Sequence, residues 1–145
     1  MTLRPATPAD HAAILDLWLR SVRATHTFLS EADIQALHPL VRDHALPALE
    51  LWVLVDGHGA ILGWMGLDGS KLEALFLDPA HTGKGHGRRL VEHTRTLKGP
   101  LTVDVNEQNP GALRFYEACG FEVAGRSDLD GQGRPFPLLH LAERT

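Results

Sequence analysis

Hydrophobic and polar residues follow two different periods along this chain of 145 residues. Four segments have apolar residues at helical spacing, and they predict four amphipathic helices. Three of these segments follow a capping residue, which is Thr7, Ser30 or Asn109, and the other follows the glycine-rich stretch 83–87. Short apolar runs bounded by turn residues predict seven strands. These runs cover residues 3–5, 51–55, 61–67, 72–77, 101–106, 121–126 and 137–142. The predicted order is β-α-α-β-β-β-α-β-α-β-β, with a kink or break of the second helix at Pro39.

This order predicts an α/β fold in one domain, residues 1–145. Strands 51–55, 61–67 and 72–77 are joined by short turns and should form an antiparallel meander. A helical crossover follows, so the strands at 72–77 and 101–106 should be parallel neighbours. The expected architecture is a mixed, mostly antiparallel sheet of about seven strands flanked by four helices.

Glycines 83, 85 and 87 lie between an apolar strand and the third helix. Without Cβ atoms, such a segment lets backbone N–H groups converge on an anion at the positive end of a helix dipole. The spacing matches neither Gly-x4-Gly-Lys-Ser/Thr nor Gly-x-Gly-x-x-Gly, although Asp104 stands where the second motif would need an acidic ribose partner. The segment therefore predicts a phosphate-binding loop of another kind.

Two motifs resemble those of the GNAT superfamily of acetyl-CoA-dependent N-acetyltransferases. The string from Thr82 to Gly87 resembles motif A, Gln/Arg-x-x-Gly-x-Gly/Ala, with Thr82 in place of Gln or Arg. Residues 109–121, NPGALRFYEACGF, resemble Asn-x-x-Ala-x-x-x-Tyr-x-x-x-Gly-Phe at every signature position. The likeness extends over nearly the whole chain and is strongest to a small bacterial subgroup of the family. The segments 74–79, 105–109 and 135–139 carry that last likeness.

The resemblance implies that the strands at 72–77 and 101–106 splay apart and hold acetyl-CoA between them. Thr82 would cost one side-chain contact with phosphate and leave the backbone contacts intact. A backbone N–H of Leu75 or Leu77 would stabilise the oxyanion, and pantetheine amides would pair with that strand edge. The residues implied in cofactor binding are Leu75, Phe76, Leu77, Thr82, Gly83, Lys84, Gly85, His86, Gly87, Arg88, Asn109 and Tyr116.

Tyr116, the only tyrosine, stands where the family places its catalytic tyrosine. A phenol of pKa about 10 is protonated at neutral pH and can donate to a thiolate of pKa about 8.5. The alternative is a core aromatic residue. Glu73 is the only charge in an apolar strand, so it is either a catalytic base or substrate anchor, or a strand-end residue facing solvent. By family position, His26 and Phe28 join Glu73 in the acceptor pocket, and Asn106 is expected to line the cleft at the end of its strand.

Composition narrows the class of function. A net charge of −4 disfavours a nucleic-acid-binding domain, and 43% hydrophobic residues are typical of a globular protein. The single cysteine, Cys119, and the lack of a signal peptide or an apolar span predict a cytoplasmic protein away from membranes. The nine histidines lack metal-ligand spacing, so no metal is expected.

The leading hypothesis is an enzyme that transfers acetyl from acetyl-CoA to a primary amine by direct attack in a ternary complex. The alternative is a non-catalytic acyl-CoA-binding module that senses or regulates. A small-molecule amine and a protein lysine both stay open as acceptor, and so does a homodimer.

Overall fold

A computed structural model of the chain describes residues 1–144, in which all seven predicted strands are present. They form one sheet in the order β1-β2-β3-β4-β5-β7-β6, and every neighbouring pair is antiparallel except β4 and β5. The predicted mixed, mostly antiparallel sheet is confirmed. The strands are β1 (Thr2–Pro5), β2 (Glu50–Val55), β3 (Ile61–Asp68), β4 (Lys71–Leu77), β5 (Thr102–Asn106), β6 (Phe121–Ser127) and β7 (Leu138–Glu143).

The four predicted helices are also present, and a short additional helix follows the second one. The helices are α1 (His11–Thr25), α2 (Glu31–Leu40), α3 (Leu46–Ala48), α4 (His86–Lys98) and α5 (Pro110–Ala118). Pro39 lies inside α2 without ending it. Because its ring nitrogen carries no hydrogen, one helical hydrogen bond is missing. The chain then continues through a π-helical turn, Val41–Ala45, into α3.

Helix α1 begins with a 3-10 turn, Pro8–Asp10, and the Asp10 carboxylate organises this start. Its Oδ2 accepts a hydrogen bond from the Thr7 backbone N–H at 2.8 Å and pairs with Arg4 Nη1 at 2.8 Å. The Arg4 guanidinium, then the Thr7 amide, hold the pKa of Asp10 well below its ordinary value of 3.8. The carboxylate therefore joins β1 to the first helix.

Replacing Asp10 with alanine is expected to lower the free energy of unfolding by about 1 kcal/mol at pH 7, the usual cost of losing a helix cap. Because the folded-state pKa is depressed, this stabilisation is complete above pH 3.8 and is lost as pH falls further. Urea unfolding should show that the gap in the free energy of unfolding between wild type and variant is smaller at pH 3 than at pH 7. Asp16→Ala, which removes an exposed carboxylate paired with Arg20, is the control. A gap that is independent of pH would contradict this account.

Helices cover both faces of the sheet. On one face α1 packs through Ile14, Leu17 and Trp18 against Trp64 of β3, and Ile34 of α2 joins the same core. On the other face α4 and α5 contribute Leu90, Val91 and Tyr116 to a core with Met65 and Phe121. From Ala74 to Leu77, the side chains of β4 pack alternately into these two cores, because successive side chains of a strand point to opposite faces. Among the described residues, no helix combines the length and the apolar character that crossing a bilayer requires.

Candidate active site

Strands β4 and β5 separate after a very short paired segment. They pair only at Lys71–Thr102 and Leu72–Val103, and the remainder of β4 has no partner on that edge. The separation opens a cleft of about 460 Å³, a volume typical of small-molecule sites. The splay that the family resemblance implied is therefore present.

The cleft gathers residues from α1, β4, β5, α5 and the glycine loop. Of the residues named from sequence, those that line it are His26, Glu73, Leu75, Phe76, Leu77, Thr82, Gly83, Gly87, Asn106, Asn109 and Tyr116. Phe28, Lys84, Gly85, His86 and Arg88 lie outside its lining. Sequence reasoning did not assign to this cleft the other residues that line it, which are Thr25, Leu72, Ala74, Val103, Asp104, Val105, Gly111, Ala112 and Phe115.

The open edge of β4 presents backbone N–H groups to the cleft. Asp78 N–H donates to Leu62 O at 2.8 Å, toward β3. The β3–β4 register is continuous from Gly63–Leu77 to Gly66–Ala74, and N–H direction alternates along a strand. The N–H groups of Leu75 and Leu77 must then point the opposite way, into the cleft. This orientation is the one that an oxyanion donor or a pantetheine partner needs.

The glycine loop has the geometry of an anion cradle. Gly83 and Gly85 have φ angles of 75° and 80°, which favour glycine. The first helical bond of α4 runs from Arg89 N–H to Gly85 O, so the N–H groups of residues 86–88 have no acceptor within the helix. At Gly87 glycine is required for space and not for its φ angle, because a Cβ would lie 2.9 Å from Cζ of Phe115. The loop is therefore suited to binding a phosphate group through backbone N–H groups that have no acceptor within the helix.

Positive charge surrounds this loop. Burial lowers the pKa of His86 below its ordinary 6.5, and His81, Lys84 and Arg89 lower it further. Arg88 does not point its guanidinium at the loop, since Nη2 donates to Ala118 O at 2.7 Å and ties α4 to the end of α5. Any contact of Arg88 with an anion at the loop would thus come from its backbone N–H.

Tyr116 lies on α5 with its ring in the core and one side on the cleft. Helix α5 begins where Asn109 Oδ1 accepts from Ala112 N–H at 3.2 Å, as its predicted capping role requires. The ring packs edge-on against Phe115 and Phe121, and the residue is 6% exposed. Burial raises the pKa of the phenol above its ordinary 10. No group within residues 1–144 hydrogen-bonds to the hydroxyl, which leaves it free to donate to a ligand.

A row of polar side chains runs from the cleft across β5, β7 and β6. Lys71 Nζ lies 3.3 Å from Glu73 Oε1 and 3.0 Å from Asp104 Oδ2. His140 Nδ1 is 2.6 Å from Asp104 Oδ1, and Ser127 Oγ is 2.6 Å from His140 Nε2. Burial opposes ionisation of Asp104, but His140 and Lys71 outweigh it and hold its pKa below 3.8. Glu73 thus has a cationic partner in Lys71.

Aromatic rings border the cleft on the side of α1. The His26 ring lies 5.5 Å from that of Phe28 and 6.2 Å from that of Phe76, between centroids. Phe136, in the β6–β7 connection, covers Phe28 at 5.9 Å. Phe28 therefore supports His26 without lining the cleft itself. No cluster of three or more histidine, cysteine, aspartate or glutamate side chains suited to a metal occurs in the part of the chain described.

Comparisons with known proteins agree with this geometry. The acetyltransferase (GNAT) domain family matches residues 47–123. Peptidyl-lysine N-acetyltransferase YjaB of Salmonella typhimurium is 45% identical over 141 residues, covering 97% of each chain. Its Escherichia coli counterpart is 44% identical, covering 98% of this chain and 96% of the relative.

Solved structures show the same fold. The solution structure of apo YjaB from Escherichia coli matches with a TM-score of 0.91 at 44% identity, over 98% of this chain and 96% of that one. PaiA N-acetyltransferase from Thermoplasma acidophilum, solved with coenzyme A, matches with a TM-score of 0.76 at 17% identity over 99% and 100%. The chain therefore belongs to the GNAT family of acetyltransferases, the family that its two sequence motifs predicted.

Proposed function

We propose that this protein transfers the acetyl group of acetyl-CoA to the side-chain amine of a lysine in a protein substrate. The observation that carries the proposal is the β4–β5 cleft, which joins an anion cradle to a tyrosine and a pair of carboxylates. YjaB relatives at 45% and 44% identity are named peptidyl-lysine N-acetyltransferases, and this supports lysine over a free small amine.

The residues of the cradle suit the diphosphate and pantetheine of acetyl-CoA. Amides of residues 83–88 would hold the diphosphate, and the open edge of β4 would pair with the pantetheine arm. The positively charged side chains of Lys84 and Arg89 near His86 favour binding of an anion. The PaiA neighbour, which has this fold, was solved with coenzyme A, and this supports the proposal.

The acceptor end suits a cation. Glu73 and Asp104 carry two negative charges, and Lys71 supplies one positive charge between them. Counting these three side chains, the group keeps one negative charge for an incoming ammonium. The aliphatic stem of lysine would run along Phe76 and His26, since long charged side chains pack their stems on apolar surface.

The chemistry depends on two groups of the chain, a backbone N–H of β4 and the Tyr116 hydroxyl. Acetyl-CoA supplies a thioester whose carbonyl carbon the neutral amine attacks. The N–H of Leu75 or Leu77 would stabilise the negative oxygen that develops. The Tyr116 hydroxyl would donate its proton to the departing thiolate, and the burial that raises its pKa keeps it protonated at neutral pH. A sensor without catalysis would require none of these groups.

Replacing Glu73 with glutamine is expected to raise the KM for a lysine peptide about tenfold and to leave acetyl-CoA affinity within twofold, because one carboxylate of the acceptor end loses its charge. Steady-state kinetics at pH 7.5 and calorimetry with acetyl-CoA measure the two effects. Glu122→Gln, on the exposed face of β6, is the control. Equal peptide KM values for Glu73→Gln and wild type would remove Glu73 from the acceptor site.

The proposed function is tested by incubating the protein with acetyl-CoA and a set of lysine peptides. Release of free CoA together with a peptide mass increase of one acetyl group is expected, and a peptide with arginine in place of lysine should give neither. Acetyl-CoA binding without transfer to any amine would contradict the proposal and favour the sensor.

Three further aspects of the proposal concern the protein as a whole. Residues 1–145 are proposed to act as one acetyltransferase domain, since β1 and β7 belong to the same sheet. A cytoplasmic setting is proposed because Cys119 is a buried free thiol. A homodimer stays a prediction, which light scattering can test.

A further inference from the structure

His26 occupies a defined position at the end of α1. It caps the helix, and its backbone N–H donates to Val22 O at 2.8 Å. Its imidazole lines the cleft and is held between the rings of Phe28 and Phe76. The ring therefore lies at the wall of the cleft, packed against two aromatic side chains.

The neighbouring threonine determines which imidazole nitrogen carries the proton. Thr25 Oγ1 lies 2.8 Å from Ser21 O, and a carbonyl can only accept, so the one hydroxyl proton is directed there. Thr25 Oγ1 also lies 2.8 Å from His26 Nδ1. With its own proton already engaged, the hydroxyl must accept in this second bond, and Nδ1 must donate. Neutral His26 consequently has its lone pair on Nε2, which no group within residues 1–144 engages.

The surroundings keep this imidazole neutral. Burial lowers the pKa of His26 below its ordinary 6.5, and no charged neighbour opposes the shift. Other titratable groups facing the cleft are Glu73 on β4, Asp104 on β5 and Tyr116 on α5. On the adjoining helices, Arg23 of α1 and Glu31 of α2 pair with each other. Because both carboxylates of the cleft pair with Lys71, they are suited to anchoring a cation and less suited to removing its proton.

We propose that His26 is the general base, taking a proton from the acceptor ammonium through Nε2. The inference rests on the proposed lysine acetyltransferase function. The ammonium transfers one proton to Nε2, which later releases it to solvent, and the freed nitrogen lone pair forms the bond to the thioester carbonyl carbon. When the adduct collapses, the C–S bond breaks and Tyr116 protonates the thiolate. The second proton lost from nitrogen restores the Tyr116 hydroxyl.

The kinetic test compares His26→Gln with wild type on one lysine peptide. Loss of a general base is expected to lower kcat by about 10²-fold at pH 7, with acetyl-CoA affinity unchanged. The acid limb of the wild-type kcat profile should have its midpoint below pH 6.5 and should be absent from the variant. In His26→Gly, added imidazole should restore part of the rate. His58→Gln, in the exposed β2–β3 turn, is the control and should match wild type.

The spectroscopic test is independent of turnover. Long-range ¹H–¹⁵N spectra of the protein should show His26 as the Nδ1–H tautomer at pH 7.5. Thr25→Val should lose this preference and lower kcat, while Thr25→Ser should retain both. An Nε2–H tautomer in wild type would overturn the inference, as would a His26→Gln variant with kcat and pH profile equal to those of active wild type. Failure of wild type itself to acetylate any lysine peptide would instead refute the proposed function.

Discussion

Tyr116→Phe is expected to lower kcat by about 10²-fold while leaving acetyl-CoA affinity and thermal stability nearly unchanged. The substitution keeps the ring and its contacts with Phe115 and Phe121 and removes only the proton that the side chain can donate. Single-turnover measurements on a lysine peptide would isolate the chemical step. Since burial raises the pKa of the phenol above 10, no alkaline limb from this group is expected below pH 10.

A direct measurement can accompany the kinetics, because Tyr116 is the only tyrosine. Ultraviolet titration of the phenol therefore reports on this residue alone and should place its midpoint above pH 10. A Tyr116→Phe variant with kcat within about twofold of wild type would assign the residue a packing role only. The alternative interpretation of Tyr116, a core aromatic residue, would then be the correct one.

Gly85→Val is expected to weaken acetyl-CoA binding by about 10²-fold with the fold retained. At φ 80° a β-branched residue is strained, and relief of that strain would turn the amides of the loop away from the anion. Loss of two charge-assisted hydrogen bonds at about 1.5 kcal/mol each accounts for the magnitude. Calorimetric titration with acetyl-CoA measures the loss.

Gly59→Val is the matched control, since Gly59 has a φ of 82° and, like Gly85, no heavy atom within 4 Å of the place where a Cβ would lie. It lies in the β2–β3 turn, so it carries the same backbone strain without touching the cleft. Gly87→Val is a poorer test, because its Cβ would collide with Phe115 and disturb packing as well as binding. Equal acetyl-CoA affinity of Gly85→Val and Gly59→Val would contradict the assignment of the phosphate loop.

Local patterns along the chain predicted most of the fold and part of the site. Apolar periodicity predicted the seven strands, and capping residues such as Ser30 and Asn109 predicted helix starts, because both effects depend on neighbours in sequence. The glycine spacing and the Tyr116 segment predicted the GNAT family, which the family match and the YjaB relatives confirm together with the enzyme class. The roles of individual site residues stay predictions.

Other features cannot be read from neighbouring residues. The sequence predicts a kink or break at Pro39, but the chain stays helical past Pro39 and continues through a π turn into α3. From sequence, Asp104 is a candidate only as the acidic partner of a dinucleotide motif that the glycine spacing excludes. Its place in the cleft depends on where β5 leaves β4, and that divergence involves residues some 30 positions apart in the chain.

Sequence by itself determined the family, the elements and the chemical types at the cleft, because periodicity, caps and spaced glycines act over a few residues. Only the tertiary structure decided that β7 lies between β5 and β6, which brings His140 against Asp104 and Ser127. It also decided that Lys71 lies within 3.3 Å of both carboxylates and that Thr25 Oγ1 lies 2.8 Å from His26 Nδ1. These arrangements depend on strand order and on side-chain hydrogen bonds closed in three dimensions, neither of which leaves a periodic trace in the sequence.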